Sequence, residues 1–311
     1  MLRLAAALLA AIPVWSAARE TVLFDTDSGV FNDDGTALVM LLRSPAQVAI
    51  PAVTIVPGNV WSPQGAEYMQ HILDLLNHSL VPVYTGAATP LVHTAAMAHE
   101  FERRWGKLEY SGAFAMDPAE VKPAPGAKLS ARKHRDGAVE FLISEIERRP
   151  GELTVLALGP MTNLALAIRL RPGLDAKIKQ IVFMGGNVHV GGNASASAEF
   201  NFFFDPEAAR IVLRSRIPKK VMFPLDICDR AVIRKPHFDQ IVAARSPITE
   251  LYREDFGNRF PGFLHHPEAT GYLWDELAAA WLLDPGFVTK SETRYLDVLA
   301  SWGRFYGSTV P

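Results

Sequence analysis

Asp25, Asp27, Asp33 and Asp34 place four carboxylates within ten residues, between an apolar β-branched run and a helical one. Residues 21–24 (Thr-Val-Leu-Phe) read as a buried strand, and residues 36–42 as a helix, so the acids lie on a strand-to-helix loop. Like charges this close repel and raise one another's pKa. A bound cation relieves that repulsion, and hard oxygen donors on a loop suit Ca²⁺ or Mg²⁺. Helix capping accounts for Asn32, Asp33 and Asp34. It leaves Asp25 and Asp27 unexplained, which points to a metal or catalytic role for the loop.

The same alternation continues along the chain. Strands are expected at 47–57, 81–84, 153–158, 179–184 and 220–223, and helices at 65–77, 136–149, 162–170, 207–214 and 275–283. Residues 117–130, with Pro118, Pro123, Pro125 and Gly126, read as a loop. This order predicts an α/β fold on a mainly parallel central sheet flanked by helices, with the active site at the carboxyl ends of the strands. Asp25 and Asp27, Asn59, Gly159 and Asn187 all follow strand ends and should converge.

A chain of 311 residues with 49% hydrophobic content can bury a large core. Its formal net charge of −2, with no basic block, argues against nucleic acid and anionic membranes as partners and favours a small molecule. Residues 1–18 read as an export signal: Arg3 in a short positive region, an apolar run at 4–12, and Ser16-Ala17-Ala18 as the cleavage site. The expected mature protein is exported, periplasmic or secreted, and forms one domain over 19–311. The single cysteine, Cys228, cannot form an internal disulfide and is expected to be a buried structural thiol.

Six segments together carry a family resemblance: DTDSGVFNDDGTALVMLL, VPGN at 56–59, LGPMTNLALA at 158–167, FMGGN at 183–187, AEFNFFFDPEAA at 198–209 and WDELAAAWLLDP at 274–285. In this combination and order the chain resembles the nucleoside hydrolases of the inosine/uridine type. The resemblance implies a Rossmann-like fold and Ca²⁺-dependent hydrolysis of the N-glycosidic bond of ribonucleosides to ribose and free base. It implies a metal site from Asp27, Asp34, the backbone carbonyl of Leu158, and Asp275. Asp27 is the implied general base, and Asp25 and Asp33 take supporting positions. Asn59, Met184, Asn187, Asn193, Glu199 and Asn201 match ribose-binding positions, with Glu199 and Asn201 also placed at the reacting centre. A neutral ribose offers only hydroxyls, so amides and a carboxylate are fitting partners. Members of the family are commonly homodimers or homotetramers.

The chain departs from its relatives in four places. Val30-Phe31-Asn32 adds two residues between Gly29 and Asp33, so the loop is expected to bulge. Ser28 stands where Pro is usual. Trp274 replaces the histidine that in many members precedes the last metal aspartate. Indole is a donor only and cannot protonate a leaving base. It resembles the purine-preferring branch, in which the indole stacks on the base, so Trp274 implies a purine preference. The segment after residue 293 is expected to be short relative to the family. His265, His266, Tyr252, Arg253 and Arg259 are weaker candidates for the leaving-group end, and Trp61, Tyr84 and Trp105 for a second stacking face. His71, His78 and His93 read as ordinary helix or loop residues.

Two other readings compete. A nucleoside- or sugar-binding protein with an impaired active site is compatible with the loop insertion. A haloacid dehalogenase-type phosphohydrolase would use Asp25 as nucleophile, but leaves Asp33, Asp34, Glu199, Asn201 and Asp275 without a task.

Overall fold

The computed structural model describes residues 19–260, 265–266, 268 and 270–311. The expected export signal at 1–18 lies outside the described residues.

Seven strands run side by side in one parallel sheet, in the order β5 (Arg135–Asp136), β4 (Val83–Thr85), β3 (Val53–Ile55), β1 (Glu20–Thr26), β6 (Leu153–Ala157), β7 (Gln180–Met184) and β8 (Lys220–Phe223), and β2 (Val48–Ala49) pairs with the start of β1. The single strand expected over 47–57 is thus two short ones. Pro51 between them has no N–H for the ladder, which accounts for the break. Two short antiparallel pairs stand apart: β9 (Val232–Arg234) with β10 (Thr270–Tyr272), and β11 (Asp297–Val298) with β12 (Thr309–Val310).

Both faces of the sheet are covered, as a parallel sheet requires. Val22 and Phe24 of β1 join a core with α1 (Asn32–Leu42), α2 (Ser62–Leu75), α10 (Pro247–Arg259) and α11 (Asp275–Leu283). Leu23, pointing the other way, packs with α4 (Ala138–Arg148), α5 (Thr162–Leu170) and α7 (Pro206–Leu213). A third, aromatic cluster joins α3 (Ala95–Trp105) and α6 (Phe200–Phe204) to Tyr306. The remaining helices are α8 (Leu225–Cys228) and α9 (Lys235–Val242).

Phe31, within the Val30-Phe31-Asn32 segment, packs into the fold. Helix α1 starts at Asn32, four residues before the expected 36, because Phe31 turns inward and is 3% exposed. Its ring lies under Gly35, where a β-carbon would be 2.8 Å from it, and meets the ring of Tyr252 edge-on at 5.7 Å. Asn32 takes a left-handed φ of 40°, tolerable for Asn, and its side-chain oxygen accepts from Gly29 N at 3.2 Å. Cys228 is buried, its thiol donating to the carbonyls of Phe223 and Trp274, in keeping with a structural role.

Candidate active site

Asp27 stands at the carboxyl end of β1, beside the ends of β3 and β6. Its Oδ2 accepts the backbone N–H of Asn59 at 2.7 Å, and the Asn59 amide reaches Oδ1 at 3.3 Å and Asp34 Oδ2 at 3.5 Å. Two glycines make the seat. A β-carbon on Gly58 would fall 1.9 Å from Asp27 Oδ2, and one on Gly159 would fall 2.8 Å from Asp27 Cβ. On the open side, Tyr110 donates its hydroxyl to Asn59 Oδ1 at 2.9 Å and packs on Phe200 at 4.7 Å.

The carboxylates of Asp33, Asp34 and Asp275 converge, with one oxygen of each within 4.8 Å of the others. Helix α11 packs along α1, which brings the first residue of α11 to the acidic loop. Thr26 Oγ1 donates to Asp34. Burial, then the Asp33 charge, raises Asp34 to about 7. Burial followed by the charge of Asp34 lifts Asp27 well above the usual carboxylate range, and burial followed by Asp33 and Asp34 does the same to Asp275. These oxygens lack a counter-charge of matching size, and an all-oxygen donor set of this kind fits a hard divalent cation. Asp33 therefore stands among the converging carboxylates. Asp27 lies beside that trio, tied to Asn59.

Asp25 has a different task. Its Oδ1 accepts from Thr54 at 2.5 Å and Asn163 at 2.8 Å, binding β1 to β3 and α5. Burial raises it to about 6.

The sugar-side candidates gather at the ends of β6 and β7. Asn201 Nδ2 donates to Leu158 O at 3.0 Å and Met184 O at 3.2 Å, and contacts Met184 Sδ at 3.5 Å. Glu199 caps α6 with both oxygens: Oε1 accepts from Asn201 N at 2.8 Å, and Oε2 from Gly186 N at 2.7 Å and Phe202 N at 3.1 Å. Burial still leaves its pKa raised against those bonds. Asn187 spends its amide on Val190 O and Ser197 O and accepts from Glu199 N, so it holds the loop together. Asn193 Oδ1 accepts from Phe200 N at 2.8 Å. Neither is a simple turn residue, since each fixes the segment that carries Glu199 and Asn201.

Trp274 precedes Asp275 with its indole oriented on two sides. Nε1–H donates to Asp229 at 3.1 Å, and one face stacks on Tyr272 at 5.4 Å and 17°. The second-face candidates are otherwise engaged. Trp61 is 8% exposed and donates to Met116 O, Tyr84 stacks on Phe141, and Trp105 packs with Phe101 and Trp302. Tyr252 is a core residue, Arg253 pairs with Glu250 on the surface, and His265 and His266 are exposed. His93 departs from the ordinary reading: it is buried among Phe114, Phe203, Trp302 and Tyr306, with Nδ1 on Phe203 O.

Beside the acids stand Arg259, a candidate for the leaving-group end, and two residues that motif reading does not single out, Asp255 and Glu276. Arg259 lies 3.6 Å from Asp33, Asp255 accepts the Asn32 backbone N–H at 2.9 Å, and Glu276 is buried next to Asp275. The spacing of Asp255 and Arg259, one helical turn apart, is the only local sign.

Comparison with known proteins shows the family. The family profile described as inosine-uridine preferring nucleoside hydrolase matches residues 22–311. A pyrimidine-specific ribonucleoside hydrolase, RihA of Citrobacter koseri, is 33% identical over 295 residues, covering 93% of this chain and 87% of its own. Among solved structures, a plant nucleoside hydrolase has a TM-score of 0.74 at 27% identity over 93% of this chain and 86% of its own. A purine-preferring ribonucleoside hydrolase from Gardnerella vaginalis has a TM-score of 0.71 at 27% identity over 93% of this chain and 87% of its own.

Proposed function

The chain belongs to the inosine-uridine preferring nucleoside hydrolase family and is a ribonucleoside hydrolase, and from that premise we propose that it is a Ca²⁺-dependent enzyme that prefers purine ribonucleosides. The observation that carries the metal part is the convergence of buried Asp34 and Asp275 with Asp33, beside Asp27, at the strand ends. Asp27, Asp34, Asp275 and the Leu158 carbonyl are the proposed ligands, with Asp33 within reach of the same point. A divalent cation held by these residues would lower the pKa of a bound water and orient it.

Asp27 takes a proton from the water whose oxygen attacks the anomeric carbon. The bond from that carbon to the base nitrogen breaks, its electron pair leaves with the base, and the base gains a proton from solvent. Asn59 and Asn201 bind sugar hydroxyls, and Met184 flanks the ring. Glu199 offsets positive charge developing on the ribose, as carboxylates do in glycoside hydrolysis. Its three backbone donors fix the carboxylate in place for that purpose.

The purine preference rests on Trp274. Trp274 stacks on Tyr272 and directly precedes Asp275; stacking of a base on an aromatic ring is worth about 1–3 kcal/mol, and a purine offers the larger π-surface. The RihA relative is named pyrimidine-specific and the Gardnerella structure purine-preferring, so substrate comparison decides. Reducing-sugar release is expected to be faster from inosine than from uridine, and EDTA is expected to stop both. Faster turnover of uridine overturns the purine assignment. Undiminished turnover in EDTA overturns the metal dependence. Binding without turnover supports the impaired-site reading. Export and a single catalytic domain over 19–311 belong to the same proposal, and sequencing the amino terminus of the secreted protein tests the leader.

A further inference from the structure

Arg259 closes α10 beside the acidic loop. Its Nη1 lies 3.6 Å from Asp33 Oδ1 and 4.0 Å from Asp255 Oδ2 on its own helix. Asp255 also accepts the backbone N–H of Asn32. The acidic loop thus reaches α10 through three contacts: Phe31 on Tyr252, Asn32 on Asp255, and Asp33 on Arg259. Behind them, Glu276 is 7% exposed and its Oε2 has no partner. It shares with Asp33, Tyr252, Asp255 and Arg259 a cavity of about 10 Å³, room for one water.

The charges here are unequal. Asp33, Asp255 and Glu276 all act on the Arg259 guanidinium, which in turn acts on Asp34. Burial alone would favour loss of its proton, but Asp33 and Asp255 outweigh that and hold Arg259 charged. A fixed cation at this place stabilises bare carboxylates more than carboxylates already shared with a metal ion.

Resting on the reading of this site as a divalent-cation centre, we infer that Arg259 is a positioning residue that sets the centre's affinity for the ion. It turns Asp33 toward α10 and acts as an internal cation that competes with the metal for the acidic loop. Removing the charge therefore tightens metal binding while weakening the metal-free fold. A residue that served only to pack α10 would have the opposite effect on affinity, because disorder in the loop scatters the ligands.

The test is calorimetric titration of the mature protein with Ca²⁺ at fixed ionic strength, paired with thermal unfolding in EDTA and in Ca²⁺. Arg259→Gln is expected to bind Ca²⁺ on the order of tenfold more tightly than wild type. Its melting temperature should fall in EDTA and recover toward wild type in Ca²⁺. Arg259→Lys, which carries the same unit charge, should stay within about twofold of the wild-type affinity. If Arg259→Gln does not fold without metal, competition against a chelating dye starting from the Ca²⁺-loaded protein yields the same constant. Equal or weaker Ca²⁺ binding by Arg259→Gln overturns this inference alone. No Ca²⁺ binding by wild type overturns the metal reading and the inference with it.

Discussion

Asp27 is locked to Asn59 by two contacts, a 2.7 Å bond from the Asn59 backbone N–H to Oδ2 and a 3.3 Å approach of its side-chain amide to Oδ1. The proposed base on β1 is thereby joined to the turn after β3, and its carboxylate cannot rotate freely. Asp27→Asn keeps the size of the side chain but removes the basic oxygen. Its kcat on inosine is expected to fall by about 10²–10⁴-fold with the circular dichroism spectrum unchanged. Retention of kcat within tenfold would remove Asp27 from the role of base.

Gly58→Ala tests the seat rather than the base. The added methyl would lie 1.9 Å from Asp27 Oδ2, so the carboxylate must move. A displacement near 1 Å costs about 10²-fold in rate, and overpacking costs about 1–3 kcal/mol of stability. Steady-state kinetics and urea unfolding check both. Wild-type activity in this variant would mean that Asp27 need not stand where it does.

Tyr110→Phe keeps the ring on Phe200 and deletes only the hydroxyl that meets Asn59 Oδ1 at 2.9 Å. Loss of one such bond is worth about 1 kcal/mol, or roughly fivefold. The expected outcome is a rise of that size in KM for inosine with kcat little changed, because Asn59 is proposed to hold sugar rather than move protons. A fall in kcat alone would place Tyr110 closer to the chemistry.

His93 supplies a pH dependence remote from the acids. Burial pushes its pKa down to about 4, against a bond to Phe203 O that favours the charged form. The unfolded chain takes up this proton near 6.5 and the folded one near 4. Stability from neutral His93 is therefore complete above 6.5 and is lost as pH falls through that window, by about 3 kcal/mol. Asp25 and Asp205, both raised to about 6 chiefly by burial, act in the opposite sense between their ordinary pKa and 6. Urea unfolding of wild type against His93→Gln isolates the histidine. The stability difference between the two should shrink from pH 7 to pH 4.5, and a constant difference would show that His93 does not titrate.

The sequence speaks most clearly where a residue type has one physical use. Helices α5 and α11 and strand β8 coincide with the expected 162–170, 275–283 and 220–223, each bounded by a cap, a turn or a proline. Asp34 and Asp275, far apart in the chain, meet at one point together with Asp33. Helix α10 has no counterpart in that reading, although Ser246 and Thr249 form a capping box before it. Its charged residues obscure the apolar stripe of Ile248, Leu251, Tyr252 and Phe256. The pairing of Arg259 with Asp33 leaves no local trace at all, since the partners are distant in the chain. Phe31 is equally opaque, since nothing local to it shows that Gly35 and Tyr252 make room for its ring.

The two halves of the site rest on different material. Asp27, Asn59, Leu158 and Met184 hang from adjacent strands of the parallel sheet, where a shift in one would disturb the ladder of the next. Trp274, Tyr272 and Asp229 sit around the small β9–β10 pair, outside that ladder. Mutational tolerance should divide along the same line. On the proposed roles, a change in the base accepted calls for altering a peripheral ribbon, while the residues proposed to hold and cleave the sugar stay under the constraint of the sheet.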